Sequence, residues 1–246
     1  MTAGDPTLSD TKLLVPAIAD AGADIIELGV PFSEPTADGV VNQEAAQRAL
    51  KSGTKLGGIV SAVKRMRDSG TEVPIILFTY LNPVCAYGVE RFAKDAADAG
   101  VDGLLLVDVP QEEADEVKPA CDSEGLDTVF LVAPTTSKER LPLVVGACSG
   151  FVYYVSRAGV TGEKDNLNCS IEENVAAIRS FTDLPVAVGF GVSSPEQVAD
   201  VAKLADGVVV GSAIVRRIGE LGASNGLISG VSELVSSLSA PLREGQ

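Results

Sequence analysis

The pattern of apolar and polar residues divides the chain into alternating strand and helix segments. Seven short apolar runs have the length and composition of strands that are buried on both faces, and amphipathic segments separate them. The predicted strands are Ile25–Gly29, Ile75–Phe78, Gly103–Val107, Thr128–Val132, Phe151–Val155, Pro185–Gly189 and Gly207–Val210.

The helix boundaries recur in similar form along the chain. One short motif, in which a helix ends at a glycine and a strand follows, occurs twice with nearly the same residues, at Asp20–Ile25 and Asp98–Gly103. We predict capping boxes at Thr136–Glu139 and Ser170–Glu173, and a helix start at Ser194–Pro195. The repeating unit is therefore a strand followed by a helix.

This repeat predicts an α/β fold, a closed (β/α)8 TIM barrel. Seven or eight such units, with no Gly-x-Gly-x-x-Gly after the first full strand, favour the barrel over an open doubly wound sheet, which is the alternative. No linker or charge run divides the chain, so we interpret residues 1–246 as a single barrel domain. In such a barrel the functional side chains come from the carboxyl ends of the strands. Candidates at these ends are Glu27, Tyr80, Asp108, Arg157, Phe190 and Gly211.

The first strand is short in this sequence. Residues 1–6 have the pattern of a strand tail and its exit loop, and a helix from about Thr7 to Ala21 follows. We expect Pro16 to kink this helix or to delay its start. Without a complete first strand, the second and eighth strands would be separated by a gap with unpaired backbone groups. We therefore expect a misplaced start or a truncated chain, rather than a natural seven-stranded barrel.

Composition narrows the classes of function. The 19 basic and 34 acidic residues give a net charge of −15, which argues against nucleic acid or an anionic membrane as the main partner. The apolar runs are strand-sized, no secretory signal opens the chain, and we expect a soluble protein. The four cysteines are scattered and interpreted as buried thiols. Because the chain contains no histidine, the candidate acid–base residues are carboxylates, tyrosine or lysine.

Two carboxylates are the candidate acid–base residues. Glu27 lies in an otherwise apolar strand, and Asp38 lies eleven positions later on the loop that leaves the same strand. Apolar neighbours would raise the proton affinity of Glu27, whereas a polar loop would keep Asp38 ionised, so the two could divide the acid and base roles. The alternative is a structural Glu27 that pairs with a lysine or tyrosine across the barrel.

Glycines after the last three strands predict a phosphate site. Backbone N–H groups in these loops, together with the start of a short helix at Ser212, would bind a dianion without a lysine cluster. Tight turns between strand and helix also require glycine, which is the alternative reading. The glycines are Gly159, Gly162, Gly189, Gly191 and Gly211.

The loop Ser156–Asn166 is polar, has glycines at its hinges and follows the predicted sixth strand of the barrel. Its length is typical of an active-site lid, and its position beside the predicted phosphate site favours that interpretation. A surface loop without a role in the site is the alternative.

Longer motifs resemble a known family, the α subunit of tryptophan synthase. The match is co-linear over nearly the whole chain, and its first motif is long and specific, whereas many phosphate-binding barrels share the glycine motifs. The matching segments are Ile26–Pro35 with Ala37–Gly39, Asp108–Pro110, Ser156–Gly162, Gly189–Ser193 and Gly211–Ala213.

This resemblance implies retro-aldol cleavage of indole-3-glycerol phosphate to indole and glyceraldehyde 3-phosphate, with no organic cofactor or metal in this chain. Glu27 matches the acid–base residue of the family, and Asp38 matches the carboxylate that binds the indole N–H. Thr161 matches the lid residue that closes onto this aspartate. The implied substrate-binding residues are Tyr80, Tyr153, Thr161 and Phe190. The implied phosphate-binding residues are Gly162, Gly191, Gly211 and Ser212.

The resemblance also implies a partner, the pyridoxal-phosphate β subunit, in an αββα assembly in the cytoplasm or plastid stroma. The pyridoxal phosphate would belong to that partner, which receives indole through a tunnel. The implied partner interface is formed by Ser33, Glu34, Pro35 and Asn82.

Several departures from the family pattern leave alternatives open. Glu34, Thr36 and Val40 replace the usual residues near the subunit contact, and the chain lacks the usual N-terminal helix and most of the first strand. A stand-alone lyase that releases indole is one alternative. A truncated, non-catalytic partner subunit is the other.

Overall fold

The computed structural model describes residues 1–156, 164–189 and 191–243, and within residues 164–169 only the helical backbone. Parallel strands alternate with helices along the chain. The strands are β1 (Ile26–Gly29), β2 (Ile75–Thr79), β3 (Gly103–Leu106), β4 (Asp127–Val129), β5 (Leu131–Val132), β6 (Val152–Val155), β7 (Val186–Gly189) and β8 (Gly207–Val209). The helices are α1 (Leu8–Asp20), α2 (Val40–Lys51), α3 (Leu56–Asp68), α4 (Leu81–Tyr87), α5 (Val89–Ala99), α6 (Lys118–Ser123), α7 (Leu141–Ala147), α8 (Lys164–Arg179), α9 (Pro195–Ala202), α10 (Ser212–Leu221) and α11 (Leu227–Arg243), with a 3-10 helix at Gln111–Glu116.

The strands form two parallel four-stranded sheets, in the orders β1-β2-β3-β4 and β5-β6-β7-β8. The prediction of one continuous strand over Thr128–Val132 is wrong, because this segment is divided at Phe130 into β4 and β5. The first half pairs with β3 and the second half pairs with β6. This change of partner carries the ring of strands from one sheet to the other.

Residues 1–3 occupy the place of the first strand beside β1. Thr2 forms a parallel bridge with Gly29, whose N–H donates to the Met1 carbonyl at 2.7 Å, and Ala3 N–H donates to the Gly29 carbonyl at 2.8 Å. We expected the second strand of the barrel, which is β1 in the structure, to have unpaired backbone groups at its edge. This expectation is wrong along the part of β1 that pairs with residues 1–3. Within the described ranges, no ladder joins residues 1–3 to β8.

Several predicted helix boundaries are confirmed. Gly22 follows α1 with a φ of 113°, and Gly100 closes α5 with a φ of 84°, a region that glycine adopts without steric cost. The helix α9 begins at Pro195, and Ser194 and Gln197 form a reciprocal capping box. Pro16 lies inside α1, which nevertheless begins at Leu8 directly after its cap Thr7, so the start is not delayed.

Two predicted capping boxes are wrong. The helix α7 begins at Leu141, after the Thr136–Glu139 segment, and the Thr136 hydroxyl instead accepts a hydrogen bond from the Ala133 N–H at 3.0 Å. Ser170 lies inside α8, so it cannot be the N-cap of that helix. The pattern [ST]-x-x-[EQ] also occurs in turns and in helix interiors, where local side-chain bonds compete.

The core has two layers that follow the alternation of side chains along each strand. One cluster fills the barrel interior and contains Ile76, Leu105, Val129, Phe151 and Tyr153. A larger cluster lies between the strands and the surrounding helices and contains Leu28, Leu77 and Leu104. Because successive strand residues point to opposite faces, the strand register decides which side chains enter the barrel.

Two general features of the described chain bear on the composition-based expectations. Among the described helices, none combines the length and the hydropathy needed to cross a membrane. Cys121 and Cys148 are buried as free thiols, whereas Cys85 on α4 is exposed, so the expectation of a buried thiol is wrong for Cys85.

Candidate active site

Glu27 points into the barrel interior because of its place in β1. Its neighbours Ile26 and Leu28 are buried in the layer between strands and helices. Glu27 is paired in parallel register with Ile76, an interior residue, and therefore shares its face. Burial raises the pKa of Glu27 to about 7, and the nearby Met1 amino group opposes that rise. A carboxyl group of this kind can both donate and accept a proton near neutral pH.

Tyr153 faces the same interior from β6. Burial raises the pKa of this phenol, and the negative charge of Glu27 raises it further. Its hydroxyl lies over Gly189, where an added Cβ would be 2.7 Å from the oxygen. Within the described residues, the Glu27 carboxylate has no hydrogen bond or ion pair with a lysine, arginine or tyrosine. The charge of Glu27 therefore acts on Tyr153 through space.

Asp38 is fixed on the loop between β1 and α2. Its N–H donates to the Pro35 carbonyl at 3.1 Å, which closes a turn. The Tyr80 hydroxyl donates to Asp38 Oδ2 at 2.8 Å, and Asn42 Nδ2 donates to Oδ1 at 3.2 Å. Gln43 Nε2 donates to the Asp38 backbone carbonyl at 2.8 Å. Each carboxylate oxygen therefore has a donor from a different element.

Tyr80 connects the end of β2 to the Asp38 loop. The residue is 3% exposed, its ring lies 5.3 Å from that of Phe32, and its hydroxyl accepts a hydrogen bond from the Ala37 N–H at 3.0 Å. Burial and the hydrogen bond to Asp38 raise the pKa of Tyr80, so the phenol stays protonated and remains a donor. The family resemblance implies that Tyr80 binds the substrate, and its hydrogen bond to Asp38 is a contact that the sequence did not predict.

Asn42 and Gln43 were also missed. Both lie in the first turn of α2, four and five residues after Asp38. Residues four apart on a helix are neighbours, so a polar side chain at this spacing was the signal in the sequence. The four-residue spacing brings Asn42 to Asp38 only because α2 begins at Val40, and the sequence did not predict that start.

The described phosphate candidates lie at two loop ends. Gly191 follows β7 with a φ of 86°, in the left-handed region, and is exposed. Gly211 and Ser212 are exposed at the start of the ten-residue helix α10, and an added Cβ at Gly211 would meet nothing within 4 Å. The first N–H groups of a helix have no partner within it, so they can bind an anion.

Several predicted residues lie outside the described part of the chain. These are Arg157, Gly159, Thr161, Gly162 and Phe190, together with residues 157–163 of the predicted lid. Ser156, at the beginning of that loop, donates from its hydroxyl to the Gly189 carbonyl at 3.2 Å and so joins the ends of β6 and β7.

The predicted partner residues lie on exposed surface near Asp38. Ser33 and Glu34 are exposed and Pro35 is partly buried on the loop after β1. Asn82 is exposed in the first turn of α4, two residues after Tyr80. Because Tyr80 is bonded to both Ala37 and Asp38, these two segments lie next to each other.

A cavity of about 480 Å³ opens at the carboxyl ends of β3 and β5. Val107 and Leu131 reach it from the barrel interior, and Asp108, Thr135 and Arg140 add polar groups. Asp108 Oδ1 accepts a hydrogen bond from the Leu81 N–H at 2.8 Å, which ties this region to the start of α4. The cavity therefore lies at the end of the barrel where the functional side chains of this fold are found, and its lining includes neither Glu27 nor Asp38.

The comparisons with known proteins agree along the chain. A family model described as tryptophan synthase alpha chain matches residues 1–240. The tryptophan synthase alpha chain of Geobacter sulfurreducens is 54% identical over 216 residues, which are 88% of this chain and 81% of the relative. That of Solibacter usitatus is 53% identical over 218 residues, covering 89% and 81% of the two chains.

Solved structures of similar shape include tryptophan synthase subunit alpha from Legionella pneumophila, with a TM-score of 0.90 and 37% identity over 99% of this chain and 91% of that one. A chain from M. tuberculosis tryptophan synthase, in an aminoacrylate- and BRD0059-bound form, has a TM-score of 0.86 and 36% identity over 98% and 89%. These matches confirm the predicted (β/α)8 barrel. The chain belongs to the tryptophan synthase alpha chain family.

Proposed function

We propose that this chain catalyses the α reaction of tryptophan synthase, the retro-aldol cleavage of indole-3-glycerol phosphate to indole and glyceraldehyde 3-phosphate. The observation that carries the proposal is Glu27, an acid inside the barrel whose pKa burial raises to about 7. Family membership supports the same reaction. Glu27 and Asp38 are the catalytic residues of this proposal.

Glu27 transfers the protons of the reaction. Cleavage requires a proton on C3 of the indole ring and loss of the proton from the neighbouring glycerol hydroxyl. The bond between C3 and the glycerol carbon then breaks, its electron pair restores the indole ring, and the hydroxyl carbon becomes an aldehyde. A group with a pKa near the working pH performs both transfers efficiently.

Asp38 stabilises the charge that develops. Protonation of C3 places positive charge on the indole ring, and a carboxylate that accepts a hydrogen bond from the ring N–H opposes that charge. Tyr80 and Asn42 hold the two carboxylate oxygens in advance, so little reorganisation is needed during the reaction. Each oxygen keeps a further lone pair for the substrate.

The remaining residues bind the substrate. Backbone N–H groups at Gly191 and Gly211 and the Ser212 hydroxyl, at the start of α10, bind the phosphate together with Gly162. Tyr80, Tyr153 and Phe190 line the space for the indole and glycerol groups. Thr161 closes onto Asp38 when substrate is bound.

The proposed partner is the tryptophan synthase β subunit in an αββα tetramer. The partner carries pyridoxal phosphate, and this chain carries no organic cofactor or metal. Ser33, Glu34, Pro35 and Asn82 form the contact surface, next to the mouth of the barrel. Both subunits act in the cytoplasm or in the plastid stroma.

A turnover assay tests the proposal. The purified chain is incubated with indole-3-glycerol phosphate, and indole is measured with and without added β subunit. We expect cleavage that increases when the β subunit is present, and severe loss in Asp38→Ala. Cleavage that does not respond to the β subunit would instead identify a stand-alone lyase. A folded chain that releases no indole under either condition contradicts the proposal.

A further inference from the structure

Asn42 holds one oxygen of the proposed catalytic carboxylate. Its side chain leaves the first turn of α2, four residues after Asp38, and its Nδ2 donates to Asp38 Oδ1 at 3.2 Å. The other oxygen, Oδ2, accepts from the Tyr80 hydroxyl at 2.8 Å. Two donors on different oxygens restrict rotation of the carboxylate about its Cβ–Cγ bond, which a single donor would allow.

The second polar atom of Asn42 is an acceptor without a donor. Asn42 Oδ1 is buried and has no hydrogen-bond partner within the described residues. A buried unpaired acceptor lowers stability, whereas an apolar side chain of the same shape would avoid that loss. Leucine is also a better helix former than asparagine. Stability of the fold therefore does not account for asparagine at this position, but the bond to Asp38 does.

The alternative orientation of the amide would remove the only side-chain bond that Asn42 makes in the described structure. Turning Oδ1 toward Asp38 would oppose two acceptors, one of them on a carboxylate. The amide nitrogen is therefore the atom that faces Asp38. Its bond is made to a group that this chain needs in one fixed position, so the residue serves the site rather than the helix.

We propose that Asn42 is a positioning residue, which acts through Asp38 to fix the carboxylate that receives the indole N–H. This inference rests on the proposed function. Gln43 does not duplicate the role, because its Nε2 bonds the Asp38 backbone carbonyl and leaves the carboxylate free to rotate. The effect of Asn42 belongs to the chemical step, because phosphate binding uses other residues.

The test compares Asn42→Leu and Asn42→Asp with the matched control Asn174→Leu. Asn174, inside α8, also donates from Nδ2 to the residue four positions earlier, in this case the Ser170 carbonyl, at 2.6 Å. In Asn42→Leu we expect kcat to fall about tenfold, with KM within about twofold and Tm unchanged or higher. Asn42→Asp places a second carboxylate beside Asp38, and we expect a larger loss of kcat. Asn174→Leu should leave kcat unchanged.

A crystal structure of Asn42→Leu gives a readout that is independent of turnover. We expect the Asp38 carboxylate to rotate while its bond to Tyr80 remains. If kcat stays within twofold of the wild type, or if activity is lost only in proportion to a lower Tm, the proposal is overturned. If the wild-type chain releases no indole, the proposed function fails, and the crystal structure decides: a rotated Asp38 supports the positioning role, and an unmoved Asp38 refutes it.

Discussion

At the scale of single residues, the decisive feature is a carboxyl group that the barrel interior keeps from being fully charged. Glu27 shares the interior face with Ile76, and burial disfavours its ionised form. Asp38, on a loop with two side-chain donors, has the opposite surroundings. Two carboxylates in different environments can therefore take different roles in one reaction.

The first prediction concerns proton transfer by Glu27. Glu27→Gln keeps the shape of the side chain and removes the transferable proton, so we expect kcat to fall about a thousandfold while KM changes little. Steady-state kinetics of indole release measure both constants. Glu172→Gln, an exposed change on α8, is the control and should behave as wild type. Unchanged turnover in Glu27→Gln would refute the assigned role.

The second prediction concerns the pH dependence of stability. The folded-state pKa of Glu27 is raised from 4.5 to about 7, so the folded protein binds more protons than the unfolded chain between these values. Stability should therefore fall as pH rises through this window, by about 3 kcal/mol relative to Glu27→Gln. Urea unfolding of both proteins from pH 4.5 to 8 measures the difference. Parallel stability curves would contradict the raised pKa.

At the scale of elements, one ion pair joins three segments around the site. Asp5, on the loop before α1, is 2% exposed, and Arg48 of α2 binds both its oxygens, at 2.8 Å each. The Arg48 guanidinium also lies against α10 at Gly219, where an added Cβ would be 2.8 Å from Nη2. The helix that follows Asp38 and the helix that begins at the phosphate candidates are thereby fixed to each other.

The third prediction follows from this pair. Arg48→Met keeps much of the side-chain volume but leaves Asp5 buried without a partner, so we expect a loss of about 2 kcal/mol in the free energy of unfolding. Arg140→Met is the matched control, because Arg140 and Glu112 are both about half exposed and their pair should contribute under about 0.5 kcal/mol. Urea unfolding at pH 7 measures both. Equal losses in the two variants would show that burial of Asp5 does not matter.

At the scale of the whole molecule, the chain is acidic, with a net charge of −15. Its exposed loop after β1 lies beside the start of α4. Glu34 and Asn82 lie on this surface, and Tyr80 connects it to Asp38. A partner that binds here would therefore act on the loop that carries a proposed catalytic residue.

The fourth prediction tests that surface. In Glu34→Ala we expect the increase in turnover on adding β subunit to change several-fold more than the turnover of the chain alone, because this exposed carboxylate belongs to the proposed partner surface and not to the proposed substrate site. Titration of the chain with β subunit, followed by indole release, measures the effect. Glu233→Ala on α11 is an exposed acidic control. An identical response in both variants would place the contact elsewhere.

Much of the architecture was predictable because it depends on residues that are close together in the sequence. Strand length, buried apolar runs and the glycines at Gly22 and Gly100 depend on neighbours in the chain, and these predictions agree with the elements observed. The break at Phe130 was not predictable in this way. A continuous apolar run does not reveal that its two halves pair with different strands.

The order of strands and helices and the acid among apolar residues at Glu27 could be predicted from the amino-acid sequence alone, because periodicity and composition act over a few residues. The groups that meet Asp38, in contrast, are set by the packing of distant segments. Tyr80 is 42 positions away along the chain, and Asn42 reaches the carboxylate only because α2 begins at Val40. Such contacts depend on how the ends of parallel strands converge, and that convergence is a property of the whole arrangement of strands, not of any one segment.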